Sequence, residues 1–457
     1  MIRLVVFLII AILAALVAVW FANNPGHVLL QWQGMQVETS VGVALIGILA
    51  TAALITLLVE ILWGIVRLPA RLAKSRRRAR TIEGYQTLSQ GLIAAAAGDR
   101  NVARAHVKKA EQLIGAEPAV LLLGAQSAQL DGDEERARLQ FRRMLDVPEA
   151  SILGLRGLLA QAVKSSDPEA LELARRAYRK NPDAQWTVST LFDLLIRQRL
   201  WGEATNLVGP LERLGAVDSA LARRHRAALS TLIAQDTLAA GNARQALAEG
   251  RKGFKTLPNF APPSVIAARA AIALDRIPEA RRQIERAWQI RPHPELAEVY
   301  TALAPSETAT ERLKRFDRLR RRHPSHLETH LIIGELALAA KDLERARSHL
   351  EQAVEQGPTQ KTCRLMADLE RMAGHPEEGQ RWEHRVADAV PDLAWVSEAS
   401  GESFDTWRPF DGNNAFDRLV WSTPPRLSTL LGPDQPHRLI EASRTTTESE
   451  AGARPAA

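Results

Sequence analysis

Two charge-free apolar runs stand near the start of this chain, Leu4 to Ala22 and Val41 to Val59. Each is long enough to cross a hydrocarbon layer of about 30 Å as a helix. A short polar gap separates them, so residues 1–66 are predicted to form a membrane hairpin with spans of about 4–22 and 41–66. No third run of this kind follows, which leaves the rest of the chain as a water-soluble body held at a membrane surface. A cleaved secretory signal competes for the first run, because Arg3 precedes it and Ala22 closes it. The length of the run and the second span directly behind it argue against cleavage.

Charge beside the spans sets their orientation. Only Glu38 is charged between Asn23 and Thr39, whereas Arg67, Arg71, Lys74, Arg76, Arg77, Arg78 and Arg80 crowd residues 67–80. Both termini are therefore expected in the cytoplasm, in a multi-pass topology of two spans. Those seven cations lie close to the predicted membrane face, where anionic lipid attracts each by about 1 kcal/mol. Lipid headgroups, not nucleic acid, are thus the expected partner of the basic excess, despite a pI of about 9.8 and a formal charge of +7. Trp20, Trp32 and Trp63 fall near the span ends, where indole rings favour the headgroup level, and Glu60 is expected to reach the same interface.

The lone Cys363 excludes an internal disulfide framework and a cysteine-built zinc site, and reads as a small core residue. The soluble part is too long for one ordinary core, and an internal repeat resolves this. Small residues recur at Ala103, Ala137, Ala170, Ala204, Ala246, Ala280, Ala346 and Gly379, mostly 33 or 34 residues apart or at twice that spacing. In several units a second small residue follows seven positions later, as at Ala110, Ala177, Ala287 and Ala353. Gly98, Gly132, Gly241 and Gly374 each stand five before a small position, and Pro118, Pro148, Pro182, Pro258, Pro292, Pro358 and Pro391 close units.

Close packing of paired helices explains the pattern. Where two backbones approach, no side chain larger than Ala fits; the turn between them wants Gly, and a breaker must follow the second helix. The array, residues 81–393, resembles the tetratricopeptide repeat. Two places depart from it. The interval from Ala204 to Ala246 is about eight residues too long, which predicts an extended loop near Leu214 to Ser219; and the unit around Pro305 to Pro324 has Arg312 and Leu319 where small residues belong. Such arrays hold peptides or partner helices in a groove, so function is placed in binding. The arginine clusters at Arg281 to Arg286 and Arg312 to Arg322 either line that groove and select acidic partners or form solvated helix faces. Arg318, Arg320 and Arg322 are the candidate residues for an anionic ligand.

After Pro391 the periodicity stops. Residues 394–423 are rich in aromatics, and Ser397 with Ser400, then Phe410 with Asn413, stand where a small zinc ribbon would place two pairs of cysteines. These four cannot make a thiolate site, so no metal is expected; the segment is either a degenerate ribbon or a cap on the last repeat. Residues 424–457 have the composition of a disordered tail. Nowhere is there a dinucleotide or Walker-type glycine loop, an H-E-x-x-H or a G-x-S-x-G, and hence no local support for an enzyme. His323, His326 and His330 could be weighed as metal or haem-iron ligands, but they read better as surface histidines on a linker.

The segments Phe21-Ala-Asn-Asn-Pro-Gly-His27 and Val37-Glu-Thr-Ser-Val41, the Arg76-Arg-Arg-Ala-Arg80 run, Gly91 and Gly98-Asp99 together resemble the N-terminal domain of the HemY family of proteobacteria. Trp395, Gly401, Trp407, Phe416-Asp417 and Trp421 are similar to alphaproteobacterial members that carry a cysteine-based ribbon there, although this chain replaces all four cysteines. The resemblance implies a bacterial inner-membrane protein associated with late haem (tetrapyrrole) biosynthesis: an all-α scaffold that gathers haem-pathway enzymes and needs no resident cofactor, with haem or porphyrin as a transient ligand whose propionates arginine would pair. An adaptor for envelope biogenesis is the alternative. A flavin oxidase that shares the family's name is separated from it by the missing dinucleotide fingerprint.

The charge asymmetry makes the topology testable. Alkaline phosphatase fused after Arg80 should be inactive, and fused within Asn23–Thr39 it should be active; activity after Arg80 would reverse the orientation.

Overall fold

The structure, a computed structural model, describes residues 26–32 and 35–425 together with scattered positions between 9 and 23. Most of the expected first span and nearly all of the expected disordered tail therefore lie outside the described residues. The chain divides into two compact units, residues 1–157 and 158–457.

In the first unit, β1 (His27–Trp32) and β2 (Met35–Ser40) pair antiparallel, with Leu30 opposite Val37. Helix α1 (Val41–Ala96) begins at once, and the amide of Val41 donates to the carbonyl of Gly26 at the foot of the hairpin. Its first part, Val41–Trp63, has a mean hydropathy of 2.5 and no buried residue in its apolar window, so by length and composition it can cross a membrane. The helix does not stop at the expected boundaries near 66 and 80. Its 56 residues run on through the basic segment into the first repeat, a rod of about 84 Å at 1.5 Å per residue.

The end of α1 is the first helix of a pair completed by α2 (Arg100–Ile114). Next come α3 (Pro118–Asp131) and α4 (Glu134–Leu145), then α5 (Ser151–Lys164), within which the division between the units falls. Leu88 of α1, Ala110 of α2, and Val120 and Leu123 of α3 bury together. Asp99 and Asp133 cap α2 and α4 by accepting the amides of Val102 and Arg136.

In the second unit the pairs continue as α6 (Ala170–Lys180), α7 (Gln185–Arg197), α8 (Trp201–Arg213), α9 (Ser219–Ala239), α10 (Ala243–Thr256), α11 (Pro262–Ala273) and α12 (Ile277–Ile290). They end with α13 (Pro294–Ala302), α14 (Ala309–Arg322), α15 (Leu327–Ala339), α16 (Leu343–Glu355), α17 (Gln360–Met372) and α18 (Pro376–Asp388). Odd-numbered helices come first in each pair and even-numbered ones second. The recurring small residues sit on the second helices, and Ala103, Ala137, Ala204, Ala246, Ala280 and Ala346 have no exposed surface at all. Gly250 of α10 shows how tight the fit is: a Cβ there would lie 2.8 Å from the carbonyl oxygen of Pro263 and 2.9 Å from the Cβ of Ala267. Cys363 is buried in α17, as a core residue should be.

The turns between paired helices, that of α13 and α14 excepted, share one left-handed residue. Gly98, Gly132, Gly241 and Gly374 adopt φ between 75° and 87°, and Ser166, Arg199, Asp275 and Lys341 take the same role in other pairs at φ between 53° and 58°. An L-residue there costs about 1–2 kcal/mol, so the packing of the flanking helices, not glycine, dictates this turn.

Two irregular units resolve differently from expectation. The eight extra residues between Ala204 and Ala246 are not an extended loop. They lengthen α9 to 21 residues, because Ser219–Ala239 is rich in Ala and Leu and Asp218 caps it by accepting the amide of Leu221. Around Pro305 the first helix is short, and a capping box between Thr308 and Glu311 starts α14. There the Arg315 guanidinium replaces small-residue packing: it pairs with Glu307, donates to the carbonyls of Tyr300 and Thr301, and lies 4.8 Å from the centre of the Tyr300 ring. Leu319 is buried in the same core.

Substituting Trp for Ala280 should overpack α12 against its neighbours and cost about 1–3 kcal/mol or more. A lowered melting temperature of the purified protein is the expected result; an unchanged one would contradict the packing role assigned to this position.

Candidate functional site

Residues 394–422 do not cap the last pair, and along a largely irregular path they carry three short strands. They form a three-stranded antiparallel sheet of β3 (Ala394–Ser397), β4 (Ser403–Phe404) and β5 (Leu419–Ser422), with β3 in the middle. At the four places where a ribbon would hold metal, hydrogen bonds hold two tight turns. The Ser397 hydroxyl donates to Asp411 Oδ2 at 2.8 Å and accepts the amides of Ala399 and Ser400. Asp411 Oδ1 accepts the amides of Asn413 and Ala415. Burial pushes the Asp411 carboxyl up, but these donors outweigh it and hold the group below the usual carboxylate range. Phe410 sits on a bridge to Phe416. Among the described residues no three His, Cys, Asp or Glu side chains converge as a metal site.

The strands leave the last pair quickly. Asp392 still accepts the amide of Lys361, but from Ala394 onward the module lies against the first helices of earlier pairs. The fully buried carboxylate of Asp417 accepts from Arg224 Nε at 3.2 Å and meets His225 Nδ1 at 3.1 Å, both on α9, while Arg224 also donates to the carbonyl of Leu419. Phe416 stacks edge-on against Phe192 of α7. Trp395 and Trp407 lie edge-on to Phe260, just before α11, with ring centres 5.9 and 5.3 Å away. Trp395 Nε1 donates to Glu295 at 2.8 Å, and the Trp421 ring lies 4.1 Å from that of His293 at the start of α13. Contacts of one segment with α7, α9, α11 and α13 in turn mean that the chain occupies its own first-helix face. A cavity of about 400 Å³ remains there, lined by Arg224, Phe260, Arg291, His293, Trp395 and Trp421 among others.

His293 is the clearest electrostatic consequence. It is 2% exposed, caps α13 by accepting the amide of Glu295, and is held neutral by burial beside Arg291, which drive its pKa down to about 3. Burial also raises the carboxyl of Glu295, although the Trp395 indole N–H works against that shift.

The second helices present the other feature. Between α12 and α14 an open pocket of about 570 Å³ is lined by Pro278, Arg281, Arg282, Glu285, Arg318, Arg321 and Arg322. Five guanidinium groups thus face one carboxylate. Glu285 pairs with Arg322 at 3.4 Å, while Arg281, Arg282, Arg318 and Arg321 have no ion-pair partner among the described residues. Of the arginines expected to bind an anion, the structure brings Arg318 and Arg322 together here. Arg320 points elsewhere, bound to Asp317, because i and i+4 share a helix face and i+2 does not. Arg281, Arg282 and Arg321 join Arg318 and Arg322 from the clusters Arg281 to Arg286 and Arg312 to Arg322, which the sequence offered as a whole for acidic partners; which members gather in one pocket cannot be read from the spacing on either helix.

The histidines also differ from expectation. His330 is buried and meets His349 Nδ1 to Nδ1 at 3.1 Å, and His326 is the half-buried cap of α15, accepting the amide of Glu328. Burial and neighbouring cations lower His330 and bring His326 and His349 to about 4, so these are neutral packing groups and not surface residues. Of the seven juxtamembrane cations, Arg76, Arg77, Arg78 and Arg80 are exposed on α1, whereas the side chains of Arg67, Arg71 and Lys74, like that of Glu60, lie outside the described residues.

The helix pairs, their small-residue contacts and the left-handed turns define a protein of the tetratricopeptide type. Residues 26–132, which take in the β-hairpin, α1, α2 and α3, match the family described as HemY protein N-terminus. It is similar to a protein described as a probable magnetosome protein, Mms48, of Magnetospirillum gryphiswaldense, at 26% identity over 89% of this chain and 90% of the relative. Among solved structures it is similar to a thermophilic TPR protein of Thermus thermophilus, with 16% identity, 36% of this chain and 91% of that one covered and a TM-score of 0.25. It is also similar to yeast Tom70, with 12% identity, coverage of 72% and 90% and a TM-score of 0.29.

Neutral burial of His293 sets a pH dependence. Its folded pKa, about 3, lies below the ordinary 6.5, so its contribution is intact above pH 6.5 and is lost as the pH falls from 6.5 toward 3, at up to about 1.4 kcal/mol per pH unit. Asn at position 293 keeps a cap acceptor but cannot take a proton. His293→Asn should therefore lose less stability between pH 7 and pH 5 than the unmodified protein in denaturant titrations; equal losses would show that His293 is not held neutral.

Proposed function

We propose that this protein is a membrane-anchored scaffold that holds protein partners on its repeat array, facing the cytoplasm and associated with late tetrapyrrole metabolism. One observation carries the anchoring: helix α1 joins the apolar stretch Val41–Trp63 to the first repeat without a break, so the array stands on its own anchor. A break there would have allowed a free tether; an unbroken helix transmits position and direction. Exposed Arg76, Arg77, Arg78 and Arg80 follow the apolar stretch on that helix, where anionic headgroups would meet them. The match to the HemY N-terminal domain supports the association with haem synthesis. In this reading the array works by binding, with no resident cofactor.

The likeness to a probable magnetosome protein over most of both chains favours a second reading, an adaptor for assembly of an envelope or other membrane structure. Proximity labelling from the C-terminal end of the full chain in its native membrane separates the two. Ferrochelatase-type and neighbouring haem-pathway enzymes should dominate the labelled set. Enrichment of envelope-synthesis enzymes instead would transfer the assignment to the second reading, and labelling confined to the opposite side of the membrane would overturn both.

A further inference from the structure

We infer that the pocket between α12 and α14 is a docking site for an acidic peptide segment, a run of Asp and Glu side chains on a protein partner. This deepens the scaffold reading by naming the chemistry that one surface selects.

Three observations lead there. First, the first-helix face of the same unit is already filled by the chain's own sheet, through Asp417, Trp395 and Trp421, so the second-helix side is what these pairs leave open. Second, the pocket holds far more positive charge than it neutralises. Among the described residues Arg281, Arg282, Arg318 and Arg321 find no carboxylate, and the Nε of Arg281 and Oε1 of Glu285 are buried with no hydrogen-bond partner. Like charges gathered this closely repel one another, and at Arg281 and Arg282 the positive end of α12 adds to the repulsion. Some arginines elsewhere are paired, as with Arg347 on Glu370, Arg175 on Glu203 and Arg345 on Asp317, and others stand singly in solvent; here four guanidinium groups without a carboxylate share one pocket.

Third, the lining indicates which anion fits. Its one apolar member is Pro278, so neither a nucleotide base nor a flat macrocycle finds a wall to stack on. Pro278 also removes an N–H from the first turn of α12, so the pocket lacks the backbone cradle typical of a single phosphate. What it offers is several guanidinium forks spread over two helices, each able to take a carboxylate in bidentate fashion. A row of carboxylates on a peptide matches that layout. Glu285 occupies one fork, that of Arg322, in the absence of a partner.

The test uses the full chain in zwitterionic detergent and a fluorescein-labelled octapeptide of alternating Glu and Asp, followed by fluorescence anisotropy. The triple variant R281Q/R318Q/R321Q should bind at least about tenfold more weakly, while R179Q/R223Q, which removes exposed arginines elsewhere, should stay within about twofold. Glu285→Gln should bind about threefold more tightly, since it frees Arg322, and this conservative change keeps the test decisive if the triple variant folds poorly. No peptide binding, equal loss in both arginine variants, or no gain from Glu285→Gln would overturn the proposal. So would displacement of the peptide by inorganic pyrophosphate, or by a porphyrin, at concentrations below those of unlabelled peptide. None of these outcomes depends on which enzymes lie near the protein in the cell, so the pocket can fail while the scaffold reading stands, and the reverse.

Discussion

Everything in this chain depends on how closely two helix backbones can approach. Each pair closes where the second helix presents Ala, or Gly as at Gly379, and at most of these positions no surface remains exposed. A side chain only slightly larger would push the helices apart, and because the pairs repeat, the displacement would be passed to the next contact. Gly250 shows the constraint plainly, with the Pro263 carbonyl and Ala267 within 3 Å of where a Cβ would stand. Where the rule is broken, at Arg312 and Leu319, the fold compensates locally through Arg315, which ties Glu307 to the end of α13.

That packing leaves two kinds of surface, and they have different fates. The first-helix side of α7 to α13 is covered by the sheet of β3, β4 and β5, seated by a buried carboxylate with two basic partners and by three tryptophans. Breaking such a buried pair strands a charge in a dry site, so the seat is specific as well as apolar. The second-helix side keeps its charge: between α12 and α14 four of the five arginines have no counter-ion among the described residues. The chain thus covers part of its first-helix face with its own sheet and leaves an uncompensated positive pocket on the second-helix side.

Sequence reaches the helix pairs because a 33 or 34 residue recurrence of small residues has a single physical cause, and it reaches the apolar stretch at Val41–Trp63 for the same reason. It misses the turns at Arg199, Asp275 and Lys341, since glycine is a sufficient signal for a left-handed residue and not a necessary one. The eight extra residues after Ala204 read as a loop because insertions usually fall there; Ala and Leu content and the Asp218 cap favour helix instead. The seat of the C-terminal sheet is illegible for a different reason. Asp417 and His225 are 192 residues apart, and nothing local to either announces the other. Likewise Arg318 and Arg322 are readable as a pair on one helix, but Arg281 and Arg282 join them only after two helices have packed.

Where the C-terminal sheet sits is read directly by hydrogen exchange. In a chain ending at Leu393 compared with the full one, amides of α9 and of the starts of α11 and α13 should lose protection, while α15, α16 and α17 should exchange as before. Loss of protection confined to α17 and α18 would mean that the segment caps the last pair and does not fill the first-helix face.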